Sequence, residues 1–83
     1  MYIVYAIKSK TKKYIYVGLT DNLDRRVSEH NSARNKTTRP YRPFMVIYTE
    51  GFVSRREARE REKVLKSGYG KEFLKTRGGS STG

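Results

Sequence analysis

The stretch YIVYAIKSKTKKYIYVGLT, residues 2–20, decides the fold. Its two ends, residues 2–7 and 14–19, are short and rich in β-branched and aromatic residues. The polar, lysine-rich segment KSKTKK lies between them. Two such runs on either side of a polar turn predict antiparallel strands joined as a hairpin.

Both strands of this hairpin carry apolar side chains on both faces. In the first strand, alternation separates Ile3, Tyr5 and Ile7 from Tyr2, Val4 and Ala6. In the second strand, it separates Tyr14, Tyr16 and Gly18 from Ile15, Val17 and Leu19. We therefore expect a sheet that is covered on both faces. Tyrosines in such strands are usually part of the core, whereas a glycine near a strand end often marks the close approach of a backbone or ligand.

The residues after the hairpin predict a helix, a loop and a third strand. Thr20 and Asp21 can cap a helix over about residues 21–32. Residues 31–43 contain two prolines and no acidic residue, which is typical of a basic connecting loop. The apolar run FMVIYT from residue 44 predicts a strand, which Gly51 is expected to end.

Two further helices are expected after this strand. Ser54 and Glu57 have the spacing of a capping box, and the helix should run to Ser67 with Gly68 as its stop signal. A short last helix is expected over about residues 70–76. The predicted order is ββαβαα, which indicates an α+β fold with a small three-stranded antiparallel sheet flanked by about three helices.

The length and the end of the chain predict its domain organisation. Eighty-three residues suffice for one domain, which we place at residues 1–77. The remaining residues 78–83, GGSSTG, have no large side chain and are expected to form a flexible C-terminal tail.

The composition limits the classes of function. The chain has 19 Lys and Arg against 8 Asp and Glu, a formal net charge of +11, which predicts a polyanionic partner. Nucleic acid is the first candidate and an anionic membrane surface the second, while solubility alone is the simplest alternative. The absence of cysteine excludes disulfides and thiolate chemistry, and a single histidine excludes a multi-histidine metal site. No apolar run could cross a bilayer, so a cytoplasmic protein is expected.

Helical periodicity singles out three charged residues. On the first helix, Arg26 and His30 lie one turn apart beside the buried side that Leu23 and Val27 define. On the second helix, Glu62 lies near the packing stripe, where a carboxylate must be partnered, solvated through a cleft or bound to a metal. By contrast, Glu57 and Arg61 have the spacing of an ordinary solvated ion pair.

These residues together resemble the GIY-YIG nuclease superfamily. Its two strand motifs match I-V-Y at residues 3–5 and Y-V-G at residues 16–18, and R-x-x-x-H follows at residues 26–30. Ala58 and Glu62 match the family helix in which a metal-binding glutamate follows an alanine by four residues. The match spans residues 2–75 and looks most like the short, free-standing bacterial members. Three departures are Ile3 in place of glycine, Leu19 in place of a lysine, and no clear counterpart of a C-terminal amide.

The resemblance implies hydrolysis of DNA phosphodiester bonds with Mg²⁺ or Mn²⁺, in DNA repair or recombination. Glu62 would be the metal ligand, and Arg26 would stabilise charge on the phosphate oxygens. Tyr5 and Tyr16 would lie around the attacking water, one as base or positioner and the other as its support. The net positive charge is expected to stabilise a phenolate there. His30 would assist with the proton or the phosphate, unless it serves only as a bonded histidine of the helix face.

The remaining cations are expected to hold the DNA backbone without reading sequence. The candidate DNA-binding residues are Lys12, Lys13, Arg34, Lys36, Arg39 and Arg42. We expect a monomer or weak homodimer with little sequence specificity. The alternatives left open are a non-catalytic nucleic-acid-binding module of the same fold, a small RNA-binding protein and, least favoured, a membrane-surface protein.

Overall fold

The structure is a computed structural model that describes residues 1–32 and 36–79, and for residues 75–79 it describes the backbone alone. The elements, in chain order, are strands β1 (Tyr2–Ser9) and β2 (Ile15–Thr20), helix α1 (Leu23–Asn31), a 3₁₀ helix (Arg39–Tyr41), strand β3 (Phe44–Phe52), and helices α2 (Arg55–Lys66) and α3 (Gly68–Gly79). The predicted order ββαβαα and the α+β class are confirmed. The sheet is antiparallel with strand order β2-β1-β3, so β1 is central.

The hairpin register brings one alternating set of each strand onto the same face of the sheet. Tyr5 faces Gly18 across the β1–β2 pair, and Ile7 faces Tyr16. The β1–β3 pair has a bulge opposite Ala6 and Ile7, where Ile47 is the extra residue. The bulge leaves the two halves of β3 in different registers with the central strand.

The predicted end of the third strand was wrong. Gly51 does not break β3, because it pairs with Ile3, and Phe52 pairs with Tyr2. The central strand offers hydrogen-bonding partners as far as its own beginning at Tyr2, and this pairing outweighs the low strand propensity of glycine.

Helices α2 and α3 are joined by one residue, and α3 starts earlier than predicted. The Ser67 backbone donates to the Val64 carbonyl, and its hydroxyl accepts from the Gly70 N–H at 3.3 Å, so this residue ends one helix and caps the next. A Cβ at Gly70 would overlap the backbone of Leu65, so only glycine permits this close turn. Helix α3 includes residues 78 and 79 of the expected tail, and residues 80–83 lie outside the described part.

The two faces of the sheet carry two cores, as the sequence predicted. Beneath α2 and α3 lies an aliphatic core of Val4, Ala6, Val17, Ala58, Leu65 and Leu74. Beneath α1 lies a core of Tyr5, Ile7 and Phe44, with Leu23 and Val27 packed against it. In the ranges 1–32 and 36–79, none of the helices has the length and apolar character needed to cross a membrane.

Candidate active site

A pocket of about 380 Å³ opens at the outer edge of β2, between α1 and α2. Tyr5, Tyr16 and Gly18 line it from the sheet. Its charged lining residues are Arg25, Arg26, Arg55, Arg59, Asp21 and Glu62. Four arginines against two carboxylates make the pocket suited to a polyanionic ligand.

Glycine at position 18 makes room for the Tyr5 phenol. A Cβ at Gly18 would lie 2.5 Å from the Tyr5 hydroxyl oxygen and 2.7 Å from Cζ. Because the Tyr5 side chain is 1% exposed and held by its neighbours, it could not easily move away. The close approach suggested by a glycine near the strand end is therefore that of a tyrosine side chain.

Behind Tyr5, a buried chain of hydrogen bonds runs through His30 to Thr38. The Tyr5 hydroxyl lies 3.0 Å from His30 Nε2, and the Thr38 hydroxyl lies 2.9 Å from His30 Nδ1. Burial, reinforced by Arg26, lowers the pKa of His30 from its ordinary value, against an opposing effect of Glu29. A neutral imidazole has one donor and one acceptor, so one of the two hydroxyls donates and the other accepts.

The expectation that surrounding cations would stabilise a phenolate does not hold at Tyr5. Burial raises the pKa of the Tyr5 phenol well above its ordinary value, and nearby Tyr16 raises it further. Arg26 lowers this pKa, but its effect is smaller than that of burial. Tyr5 is therefore a phenol at neutral pH.

Tyr16 lies between Tyr5 and solvent. Its ring centroid is 6.3 Å from that of Tyr5 and 4.9 Å from that of His30, and its side chain is half-buried. Within the described residues, no hydrogen bond engages the Tyr16 hydroxyl. Of the two tyrosines, Tyr16 is the one whose hydroxyl is available to a ligand.

Arg26 lines the pocket from α1, where helical periodicity placed it beside the buried side of the helix. Its Nη1 lies 3.3 Å from Glu29 Oε1, and 38% of its side chain is exposed. Partial exposure and a single carboxylate partner leave donors of the guanidinium for an anion.

Glu62 reaches the pocket from α2. Its side chain is 15% exposed, and its Oε2 lies 3.1 Å from Lys66 Nζ. Neither here nor in the rest of the described ranges is there a cluster of three or more His, Cys, Asp or Glu side chains that could hold a metal ion. Mg²⁺ keeps several waters and is commonly held by one or two carboxylates. Glu62 therefore suits a hydrated ion of this kind, and the described residues do not offer a full set of protein ligands.

The expected DNA-binding residues lie at the other end of the sheet. Tyr14 of the hairpin stacks on Tyr41 with ring centroids 3.9 Å apart, and Lys12 Nζ lies 5.6 Å from the Tyr41 centroid. This contact joins the hairpin turn to the α1–β3 connection. Lys12, Lys13, Lys36, Arg39 and Arg42 are all exposed and do not line the pocket, and Arg34 lies outside the described residues. At strand spacing, Tyr14 is about 14 Å from Gly18.

Sequence reasoning missed most of the pocket's cations. Arg55 and Arg59 line it together with Glu62, and Lys66 pairs with that carboxylate. Arg55, Arg59, Glu62 and Lys66 are spaced by four, three and four residues, so they lie on one face of α2. This spacing could have identified the cations from the sequence. Arg25 was missed because it points away from the core stripe of α1.

Arg61 does not form the expected pair with Glu57. Its Nε lies 3.0 Å from Oε1 of Glu50 on β3, and its Nη2 lies 3.4 Å from the Tyr48 hydroxyl, which also donates to Glu50. A long-range partner held on the sheet therefore replaces the local partner one turn away.

Comparisons with known proteins support this assignment of the fold. The family model of the GIY-YIG catalytic domain matches residues 1–76. The UPF0213 protein SH2523 of Staphylococcus haemolyticus is 36% identical over 73 residues, covering 87% of this chain and 88% of the relative. The UPF0213 protein VNG_2274C of Halobacterium salinarum is 40% identical over 67 residues, covering 80% of this chain and 86% of the relative.

A solved structure shares the fold. The solution NMR structure of the UPF0213 protein BH0048 from Bacillus halodurans superposes with a TM-score of 0.53 at 36% identity, covering 89% of this chain and 82% of that one. The family-model match extends from β1 into α3. Five of the motif residues line one pocket, namely Tyr5, Tyr16, Gly18, Arg26 and Glu62. The chain therefore belongs to the GIY-YIG nuclease family and is similar to its small UPF0213 members.

Proposed function

We propose that this protein is a divalent-metal-dependent DNA endonuclease that hydrolyses phosphodiester bonds with little sequence preference. Membership of the family implies a nucleic-acid substrate. The observation that carries the proposal is the pocket at the edge of β2, which gathers Tyr5, Tyr16, Arg26 and Glu62 among additional arginines.

In this proposal, Arg26 binds the scissile phosphate. Its forked donors match two phosphate oxygens, and its charge persists at every relevant pH. Arg55 and Arg59 line the same pocket from α2 and would hold the neighbouring phosphate charge. Such preorganised donors stabilise the extra negative charge of the transition state.

Tyr16 would position the attacking water through its available hydroxyl. Tyr5, kept as a phenol by burial, would act by hydrogen bonding: it holds a proton between its own oxygen and His30 Nε2. His30 is 1% exposed and lies behind Tyr5, so it would orient the tyrosine without touching the phosphate. Thr38 completes this chain at His30 Nδ1.

Glu62 would hold Mg²⁺ or Mn²⁺ through one carboxylate. When bound, such an ion supplies charge stabilisation to the phosphate and to the leaving oxygen. Because one such site cleaves one strand at a time, a monomer or weak homodimer would chiefly nick duplex DNA.

A non-catalytic nucleic-acid-binding module remains the second candidate. It is favoured by one observation, the ion pair that Lys66 makes with the carboxylate expected to hold the metal. In such a module the ion pair would be permanent, and the pocket would bind a phosphate without hydrolysing it.

The two candidates are separated by incubating supercoiled plasmid with the protein and Mg²⁺. We expect nicking by the wild type, and a loss of about 100-fold or more in Glu62→Gln and in Arg26→Gln. Glu60→Gln is the matched control, because Glu60 is exposed on α2 and does not line the pocket. If the wild type binds the plasmid but nicks it no faster than Glu62→Gln does, the endonuclease proposal is wrong.

A further inference from the structure

Three neighbouring hollows follow one another along the outer edge of β2, and the candidate active site is the first of them. A second hollow of about 280 Å³ shares Tyr16 with the pocket and is bounded by α2 and α3. A third hollow of about 530 Å³ shares Ile15 and Lys71 with the second and reaches Lys13 of the hairpin turn. The three hollows therefore succeed one another from the pocket to the hairpin turn, beside a stretch of chain about 14 Å long between Gly18 and Tyr14. We call this succession the groove.

The charges along this path have one sign. Every charged side chain that lines the second and third hollows is a lysine, namely Lys8, Lys13, Lys66 and Lys71. A separate hollow has a different charge: Glu57 and Glu60 of α2 line it with Glu50 of β3 and with Arg61. The charged lining of the second and third hollows is thus wholly basic, whereas that of the separate hollow is mostly acidic.

Between the lysines, the groove is lined by aromatic and aliphatic side chains. Ile15 and Tyr16 of β2 contribute together with the preceding Tyr14, and Leu65 and Leu74 contribute from the helices. Proteins that bind single-stranded nucleic acid combine basic residues along the phosphate backbone with aromatic side chains on which the bases stack. A duplex could use the lysines, but the faces of its bases are stacked on one another and cannot lie against the apolar lining.

We infer that the groove along β2 binds a single strand of nucleic acid that extends from the scissile phosphate toward the hairpin turn. The inference rests on the proposed function for the position of that phosphate, and it adds the substrate class: a strand that is unpaired next to the cleavage point. Lys66, Lys71 and Lys13 contact successive phosphates, and the bases lie against the apolar lining.

The test measures binding without cleavage. Fluorescence anisotropy in EDTA compares a labelled single strand of about twelve nucleotides with the duplex of the same sequence, across a series of salt concentrations. Lys71→Gln and Lys13→Gln are the variants, and Lys63→Gln is the control, because Lys63 is exposed on α2 and does not line the groove. All three change the net charge by the same amount.

We expect Lys71→Gln and Lys13→Gln each to reduce the salt slope for the single strand by about 0.7, while Lys63→Gln leaves it unchanged. The affinity for the single strand should fall about three- to tenfold, and the affinity for the duplex less. Losses of affinity no larger than that of Lys63→Gln would overturn the assignment of the groove as a binding site. Equal losses of affinity for duplex and single strand would overturn the single-strand assignment.

The result is independent of whether the protein is an enzyme. If the groove variants lose single-strand binding but the wild type does not nick plasmid, the groove stands and the endonuclease proposal fails. If nicking depends on Glu62 but the groove variants bind like Lys63→Gln, the endonuclease proposal stands and the groove assignment fails.

Discussion

The face of the sheet beneath α2 and α3 differs in chemistry from the face beneath α1, although β1 contributes to both. Val4 and Ala6 point into an aliphatic core with Leu65 and Leu74. Tyr5, between them in sequence, points to the other face and bonds His30. In a chain this small, one central strand therefore supplies both the aliphatic core and the candidate active site, and the two should respond differently to mutation.

The largest loss of stability should come from the aliphatic face. Leu65→Ala removes a side chain that is 1% exposed and should lower the free energy of unfolding by about 2–5 kcal/mol. Urea unfolding followed by circular dichroism measures this. The nicking rate of the protein that stays folded should be nearly unchanged; a loss of activity in fully folded protein would show that the two faces are not separable.

A smaller loss of stability but a larger loss of activity is expected on the other face. Tyr5→Phe keeps the ring, leaves a nitrogen of His30 without its partner, and should cost about 1–3 kcal/mol. Nicking should fall by about 100-fold or more if the hydroxyl takes part as proposed.

Tyr16→Phe is the matched control for this substitution. Its hydroxyl has no hydrogen bond among the residues described, so stability should stay within about 0.5 kcal/mol of the wild type while nicking falls. Equal destabilisation by the two substitutions would contradict the assignment of Tyr5 to a buried network.

The smallest effect concerns pH. Burial lowers the pKa of His30 in the folded protein, so the unfolded chain binds more protons once the pH drops below the ordinary histidine value of 6.5. Stability should therefore fall as the pH decreases from 7.5 to about 5.5, with a slope of at most about 1.4 kcal/mol per pH unit.

The chain has one histidine, so His30→Gln should lack this pH dependence. Denaturant unfolding of both proteins at several pH values makes the comparison. An identical pH dependence in wild type and variant would show that His30 titrates alike in the folded and unfolded states.

Local pattern was enough to predict much of this arrangement. Alternation separated the two faces of each strand, and helical periodicity placed Arg26 and His30 beside the core, because both depend only on the geometry of a single element. The position of Glu62 near the packing stripe of α2 followed from the same rule.

Features that depend on how elements meet could not be predicted. Thr38 bonds His30 across a loop, and Arg61 finds Glu50 on another strand. Gly51 stays in β3 because β1 offers it a partner. The raised pKa of Tyr5 is due mainly to burial, which outweighs the opposing effect of Arg26. Composition gives the net charge of the chain but not the burial of one side chain.

The antiparallel sheet has two open edges, and the chain protects them differently. Exposed edge strands can pair with other chains and aggregate, and lysines or bulges are the usual protection. Beside β2, the groove lysines would repel a second copy that approached with the same strand. On β3, where Met45 and Val46 are 45% and 41% exposed, the bulge at Ile47 interrupts the regular edge that an added strand would need. The residues proposed to bind a nucleic-acid strand would thus also help to keep a small, basic protein from self-association when no nucleic acid is bound.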